Sequence, residues 1–296
     1  MSRQSTHAHD GRRMDNGYYD WSPIHQRERL TWPEEKNVAL CVVVNLEYDE
    51  PGGPEHQSAF SQREYGNRVG IFRVMDVLRK HEIRVTAAVD AGVAELRPSL
   101  VEECQARGWE IIAHGLTANQ PITSKMTEAD EEAYIHEVMD LMAARTGMRP
   151  RGWLGSGFGE SARTPSLLAA AGLSYVCDWP NDEQPYWMET PNGALVSLPV
   201  TLDVDSGFAR ERRVTNAQWL DRARATFDRL ALEGADNGRV LVMSLYPWLD
   251  GQPHRIKYLD QALAHISSYG VSWSATGGEI VDWFSAASPL AVTRHE

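Results

Sequence analysis

The chain has 296 residues, an apolar content of 42%, a formal net charge of −12 and a pI near 5.3. That length builds one large domain or two small ones, and the apolar share fills a sizeable core. The acidic balance excludes nucleic acid and anionic membrane as main partners, because both need a basic surface. The three cysteines, Cys41, Cys104 and Cys177, have no C-x-x-C spacing and give neither a disulfide framework nor a zinc knuckle. They read as small buried apolar residues. The N-terminal stretch has no apolar h-region and no apolar run reaches about 18 residues, so neither a secretory signal nor a membrane span is expected. A reducing cytoplasm is the expected location.

Residues 1–16 are polar and charged and read as a disordered tail. Residues 17–36 mix aromatics with prolines ("YYDWSPI", "RLTWP") and read as an extended arm over the domain or over a neighbouring subunit. Residues 37–287 then alternate strand and helix, and residues 288–296 form a C-terminal tail. "NVALCVVVNL" suits a strand buried on both faces. "GIFRVMDVLRKH" has helical periodicity, "IRVTAAVD" is a strand, "RPSLVEECQARG" a helix and "WEIIAHG" the third strand. "TEADEEAYIHEVMDLMAARTG" is a long helix with Thr127 at its start and Gly147 after its end. "RGWLGSG" and "LSYVCDW" are strands around the helix "TPSLLAAAG", and "ALVSLPVTL" is a strand. "NAQWLDRARATFDRLALEG" and "RIKYLDQALAHISSYG" are helices flanking the strand "RVLVMSLYP". "VSWSATGGEIVDWF" supplies a last strand and a short helix. Seven or eight βα units predict a parallel sheet closed, or nearly closed, into a barrel. Chemistry then belongs at the C-terminal strand ends: positions 45–50, Asp90, 114–119, 155–160, 178–184, 201–205, 246–255 and 276–279.

Strand alternation puts Asn45 and Glu47 on one face at the first of these ends. His114 directly follows an apolar strand, beside Gly115, where the backbone can turn sharply. Glu160 closes "GWLGSGFGES", which fails G-x-S-x-G because its serine sits in G-S-G-F-G; the loop reads as substrate-shaping. "CDWPNDEQPYWM" groups Trp179, Asp182 and Gln184 as contacts for a small flat polar ligand. "YPWLDGQPHRI" adds Tyr246, Trp248, His254 and Arg255, the arginine suited to a carboxylate.

Taken in order, "YDWSPI", "REYGNRVGIFRVMDVL", "WEIIAHGLT", "RPRGWLG", "YVCDWPNDEQPY", "GQPHRI" and "ATGGEIVDW" resemble the polysaccharide deacetylase superfamily over roughly residues 19–284. The closer resemblance is to its cytoplasmic branch of metal-independent allantoinases and cyclic-imide hydrolases. This implies a distorted (β/α)7-8 barrel that hydrolyses an amide C–N bond. Metal-dependent members carry an aspartate pair on strand 1, two histidines four apart, and a late histidine before a proline. Those positions fall on Asn45 and Glu47, on His114 and Ala118, and on Tyr246. A divalent metal such as zinc keeps two protein ligands, Glu47 and His114, where about three are expected, so no cofactor is expected beyond a weakly held metal. The implied site uses Glu47 as base, with His114 orienting the water. Asn45 and Tyr246 serve the oxyanion, Trp179 and Trp248 flank the ring, and Arg255 or Gln184 fixes a polar group. Two other readings stay open: a metal-dependent de-N-acetylase, and a non-catalytic barrel that binds a small molecule. The relatives assemble as tetramers, and the aromatic arm (Tyr18, Tyr19, Trp21, Trp32) suggests the same here.

Overall fold

The computed structural model describes residues 16–52 and 57–290. The predicted terminal tails lie mostly outside these residues. Strand β1 (Val38–Leu46) is the axis of the fold, and every one of its nine residues is buried. One edge pairs in parallel with β8 (Arg239–Leu245) over Val38 to Val44. The other edge is shared: β9 (Ser272–Ser274) takes Val38 to Leu40, and β2 (Val85–Val89) takes Val42 to Leu46. The sheet continues in parallel through β3 (Glu110–Ala113), β4 (Gly152–Trp153), β5 (Tyr175–Val176) and β7 (Gly193–Ser197). It ends in β6 (Tyr186–Thr190), which is antiparallel to β7.

That hairpin corrects the expectation of an all-parallel sheet, and it places "YWM" in a strand rather than in a rim loop. Past the hairpin no ladder among the described residues closes the barrel. Single bonds do so: Thr201 N–H to Val242 O at 3.1 Å and Val240 N–H to Glu183 O at 2.8 Å. The result is a curled mixed sheet, a distorted (β/α) barrel.

The helices are α1 (Gln57–Tyr65), α2 (Ile71–Lys80), α3 (Ala91–Leu96), α4 (Pro98–Ala106), α5 (Glu128–Thr146), α6 (Thr164–Ala170), α7 (Ser206–Glu211), α8 (Asn216–Gly234), α9 (Pro247–Asp250), α10 (Ile256–Ser268) and α11 (Gly277–Ala287). None is long and apolar enough to cross a membrane among the described residues. Helix α2 shows the outer packing: it buries Ile71, Val74, Met75 and Leu78, one apolar stripe of a 3.6-residue period. Helix α5 starts at Thr127, whose side chain accepts the Asp130 N–H, and stops at Gly147 in the left-handed region (φ 74°). Two cores result. One lies between the sheet and the helices. The other fills the barrel with Ala39, Cys41, Val43, Ala88, Ile112, Leu154 and Cys177. All three cysteines are buried and free, as expected.

The arm folds onto its own barrel. The Tyr18 hydroxyl donates to Ala162 O at 2.5 Å, and Trp32 is buried with its indole N–H on Arg239 O at 2.8 Å. Of the arm's four aromatics Tyr18, Tyr19, Trp21 and Trp32, only Trp21 is exposed, at 70%. A neighbouring subunit is therefore not needed to cover the arm.

Candidate active site

Register builds the site. Leu46 pairs with Val89, and Val89 with Ala113. One residue beyond, Glu47, Asp90 and His114 stand in a row at the strand ends. Alternation turns them to the barrel interior, the side that Ala88 and Ile112 occupy two residues earlier. All three are buried.

His114 is fixed by its Nδ1, which lies 2.5 Å from Leu154 O. A carbonyl only accepts, so Nδ1 carries the hydrogen and Nε2 presents its lone pair. That Nε2 has no hydrogen-bond partner and stands 4.0 Å from Glu47 Oε1. Burial pushes the imidazole down to about 4, so it is neutral at physiological pH. This has a consequence for stability. The unfolded imidazole takes up a proton near pH 6.5 that the folded one refuses until about 4, so stability is lost as pH falls through that window. His114→Asn, which keeps a donor for Leu154 O, should lose about 2–3 kcal/mol less than the wild type between pH 7 and 4.5, at ~1.4 kcal/mol per unit. Denaturant titrations with parallel pH dependence for the two proteins would contradict this.

Glu47 is held on its other oxygen. The Trp248 indole N–H donates to Oε2 at 3.1 Å, and Arg63 Nε lies 2.9 Å from the same atom. Burial raises the Glu47 carboxyl, while Arg63 and the indole pull it down. Arg63, on α1, also lies over the Trp248 ring at 4.4 Å, and Arg210 lies over that ring at 4.8 Å. Trp248 therefore holds the Glu47 carboxylate, and cations lie over its ring where a ligand ring was expected.

Asn45 also differs from expectation. Its Nδ2 donates to Ser244 Oγ at 2.8 Å and to Leu245 O at 3.0 Å. Leu245 O can only accept, so the amide orientation is fixed and both N–H groups are spent. What Asn45 offers is Oδ1, a buried acceptor without a partner, so it cannot donate to an oxyanion. Tyr246 is half-buried and its ring meets Trp248 at 6.4 Å. Burial, then the charges of Asp205 and Glu47, drive its phenol well above 10, so it remains an O–H donor.

The other expected contacts lie elsewhere. Asp182 makes a paired contact with Arg27 of the arm, at 2.8 and 2.5 Å. Gln184 donates to Asn237 Oδ1 and Gly238 O at the start of β8. Glu47's partner Trp248 lies past the end of that strand, whose seven residues span roughly 23 Å at about 3.3 Å each. Asp182 and Gln184 do not reach Glu47, because the loop after β5 runs back along β8. Trp179 donates to Glu160 Oε2 at 3.0 Å and meets Tyr18 and Tyr19 edge-on. Burial pushes Glu160 up to about 7. Neither residue bonds to Glu47 or His114; they anchor the arm. Arg255 is spent on Asp250 at 3.1 Å and on Asn216 at 3.0 Å, so it has no free fork for a carboxylate. His254 is exposed and makes no hydrogen bond.

Three residues join the site that the sequence had not singled out for a role. Arg63 opens the stretch "REYGNRVGIFRVMDVL" but sits on a helix that no periodicity announced. Asp90 and Asp205 fall at strand ends where chemistry was expected, but no motif gave them a part. Asp90 accepts the Tyr48 N–H at 2.9 Å on one oxygen and has no partner on the other. Burial and the Glu47 charge hold it well above the usual carboxylate range.

The donor set does not fit a divalent metal. No three His, Cys, Asp or Glu side chains converge among the described residues. Glu47 Oε2 already faces a guanidinium and an indole N–H. Ala118 offers only its backbone, and the Asn119 oxygen is taken by Thr117 and the Glu50 N–H.

Residues 64–176 match the family model described as polysaccharide deacetylase. The chain is 26% identical to a Schizosaccharomyces pombe protein whose name places it among the polysaccharide deacetylases, over 87% of this chain and 93% of that one. It is 22% identical to the peptidoglycan deacetylase of Helicobacter pylori, over 80% and 91%. Its structure superposes on that of PuuE allantoinase with a TM-score of 0.82 at 25% identity, covering 96% of this chain and all of that one. Deacetylases and allantoinases alike hydrolyse a C–N amide bond, and the comparisons support that coarse class for this chain.

Proposed function

We propose that this chain is a metal-independent hydrolase that opens a small cyclic amide, imide or ureide. The observation that carries this is the pairing of the Glu47 carboxylate with a guanidinium, beside a neutral histidine whose lone pair faces it. Glu47 Oε1 and His114 Nε2 are both acceptors, 4.0 Å apart. One water about 2.8 Å from each would donate to both and so be aimed and polarised. A ring imide or ureide suits such a site, because a second carbonyl stabilises the leaving nitrogen and less electrophilic help is needed. Glu47 takes a proton as the water oxygen attacks the ring carbonyl, and burial supports this by raising its pKa toward the working range. Asn45 Oδ1 accepts a ring N–H, and the Tyr246 hydroxyl donates to the oxyanion.

A hydrolysis panel of allantoin, succinimide, hydantoin, glutarimide and acetylated sugars tests this. Opening of at least one ring amide without acetate release is expected. Acetate release from the sugars, with no ring opened, would overturn it.

A further inference from the structure

The reaction needs a proton at the leaving nitrogen, and Glu47 carries one only after taking it from the attacking water. Glu47 starts ionised, and His114 has its only hydrogen committed to Leu154 O. The wall between β8 and α7 holds a carboxyl that nothing above has used. Asp205 is fully buried; one oxygen accepts the Phe208 N–H at 2.6 Å and the other has no hydrogen-bond partner. Gly207 lies against both Asp205 and Tyr246: a Cβ there would come 2.9 Å from the tyrosine ring and 3.3 Å from Asp205 Oδ1. The Ser244 hydroxyl reaches both Asp205 and Tyr246, and it receives the Asn45 amide.

We propose that Tyr246 and Asp205 form a proton-donating pair, in which Tyr246 protonates the leaving nitrogen and the Asp205 carboxyl restores the phenol. This rests on the hydrolase assignment above. The balance is closed. Water gives one proton to Glu47 and its oxygen to the carbonyl carbon. As the oxyanion collapses and the C–N bond breaks, the Tyr246 hydroxyl turns from that oxygen to the leaving nitrogen, whose electron pair takes its proton, and Asp205 passes its own proton to the phenolate through the Ser244 hydroxyl that touches both. Glu47 then returns a proton to Asp205 through water. Tyr246 touches the substrate, whereas Asp205 acts through it and is a positioning residue. The groups facing Asp205 agree. Burial and the Asp250 charge hold its carboxyl up, against the Phe208 and Gly207 N–H groups and Ser244, at about 6. Glu47 faces it from β1, and each charge of Asp205 and Glu47 raises the Tyr246 phenol from its side.

The test is kcat/KM against pH for a series of hydantoins and imides of graded ring-nitrogen acidity. In the wild type the rate should fall as Asp205 loses its proton, with a midpoint near 6. Asp205→Asn keeps an oxygen for the Phe208 N–H. It should flatten that limb and cost about 10²-fold or more on rings with the least acidic nitrogen, but under about tenfold on the most acidic imides. Tyr246→Phe should show the same split, and carries the test if Asp205→Asn does not fold. The double variant should be no slower than the slower single one. An intact limb with equal losses across the series would overturn the pair while leaving Glu47 as base. A wild type inactive on every ring would overturn the hydrolase assignment and the pair together.

Discussion

Glu47→Gln should reduce ring opening by about 10³-fold or more while the barrel stays folded, general-base catalysis contributing about 10²–10⁴. Glutamine matches the glutamate in shape, and its Oε1 can still accept the Trp248 indole N–H. It cannot take a proton from water. Arg63 loses its counter-ion, but its guanidinium remains over the Trp248 ring and its side chain is 22% exposed, so stability should change little. Single-turnover kinetics beside a thermal melt separate the two effects. A variant with near-normal rate would remove Glu47 from the role of base.

Gly70→Ala should damage both stability and activity. A five-residue π-helical turn, Gly66–Gly70, carries the chain from α1 into α2 and packs directly on α9. A Cβ on Gly70 would lie 2.1 Å from Pro247 O, and one on Gly251 would lie 2.3 Å from Gly70 Cα. Neither obstacle is a flexible side chain, so the backbones must separate. The cost should be about 3 kcal/mol, with a fall in Tm of at least about 6 °C. Because α9 carries Trp248, which holds Glu47, and Tyr246 directly precedes it, both residues move with it. A displacement of that kind should lower kcat/KM by about 10²-fold. A variant that melts and turns over like the wild type would show that α1 and α9 do not couple in this way.

Much of this architecture was legible from local pattern. The nine buried residues of β1 read as a two-sided strand because every one is apolar except Asn45 near its end. The caps of α5 are chemical signals in the sequence itself. The β6–β7 hairpin was missed although Asn192 and Gly193 stand between two apolar runs, a turn signal of the usual kind. Within the site, Glu47 and His114 were readable because each ends an apolar strand. Asp182, Gln184 and Arg255 were misplaced for a different reason. Their positions depend on which way a loop runs and on which opposite charge arrives first, and neither is encoded locally. Arg255 meets Asp250 five residues away, and Asp182 meets Arg27 from the arm, 155 residues distant in sequence. Asp205 was placed at a strand end and Arg63 in a quoted motif, but their roles were out of reach for the same reason: they meet Glu47 only through tertiary packing.

The most direct test of the account is ring-amide hydrolysis by the purified protein before and after exhaustive chelation, with metal content measured on the same sample. The account predicts ring opening at an unchanged rate with metal far below one ion per chain. Activity that disappears with the chelator and returns with Zn²⁺ would contradict it, because Glu47 and His114 would then be metal ligands, completed by a donor other than the residues that now surround them.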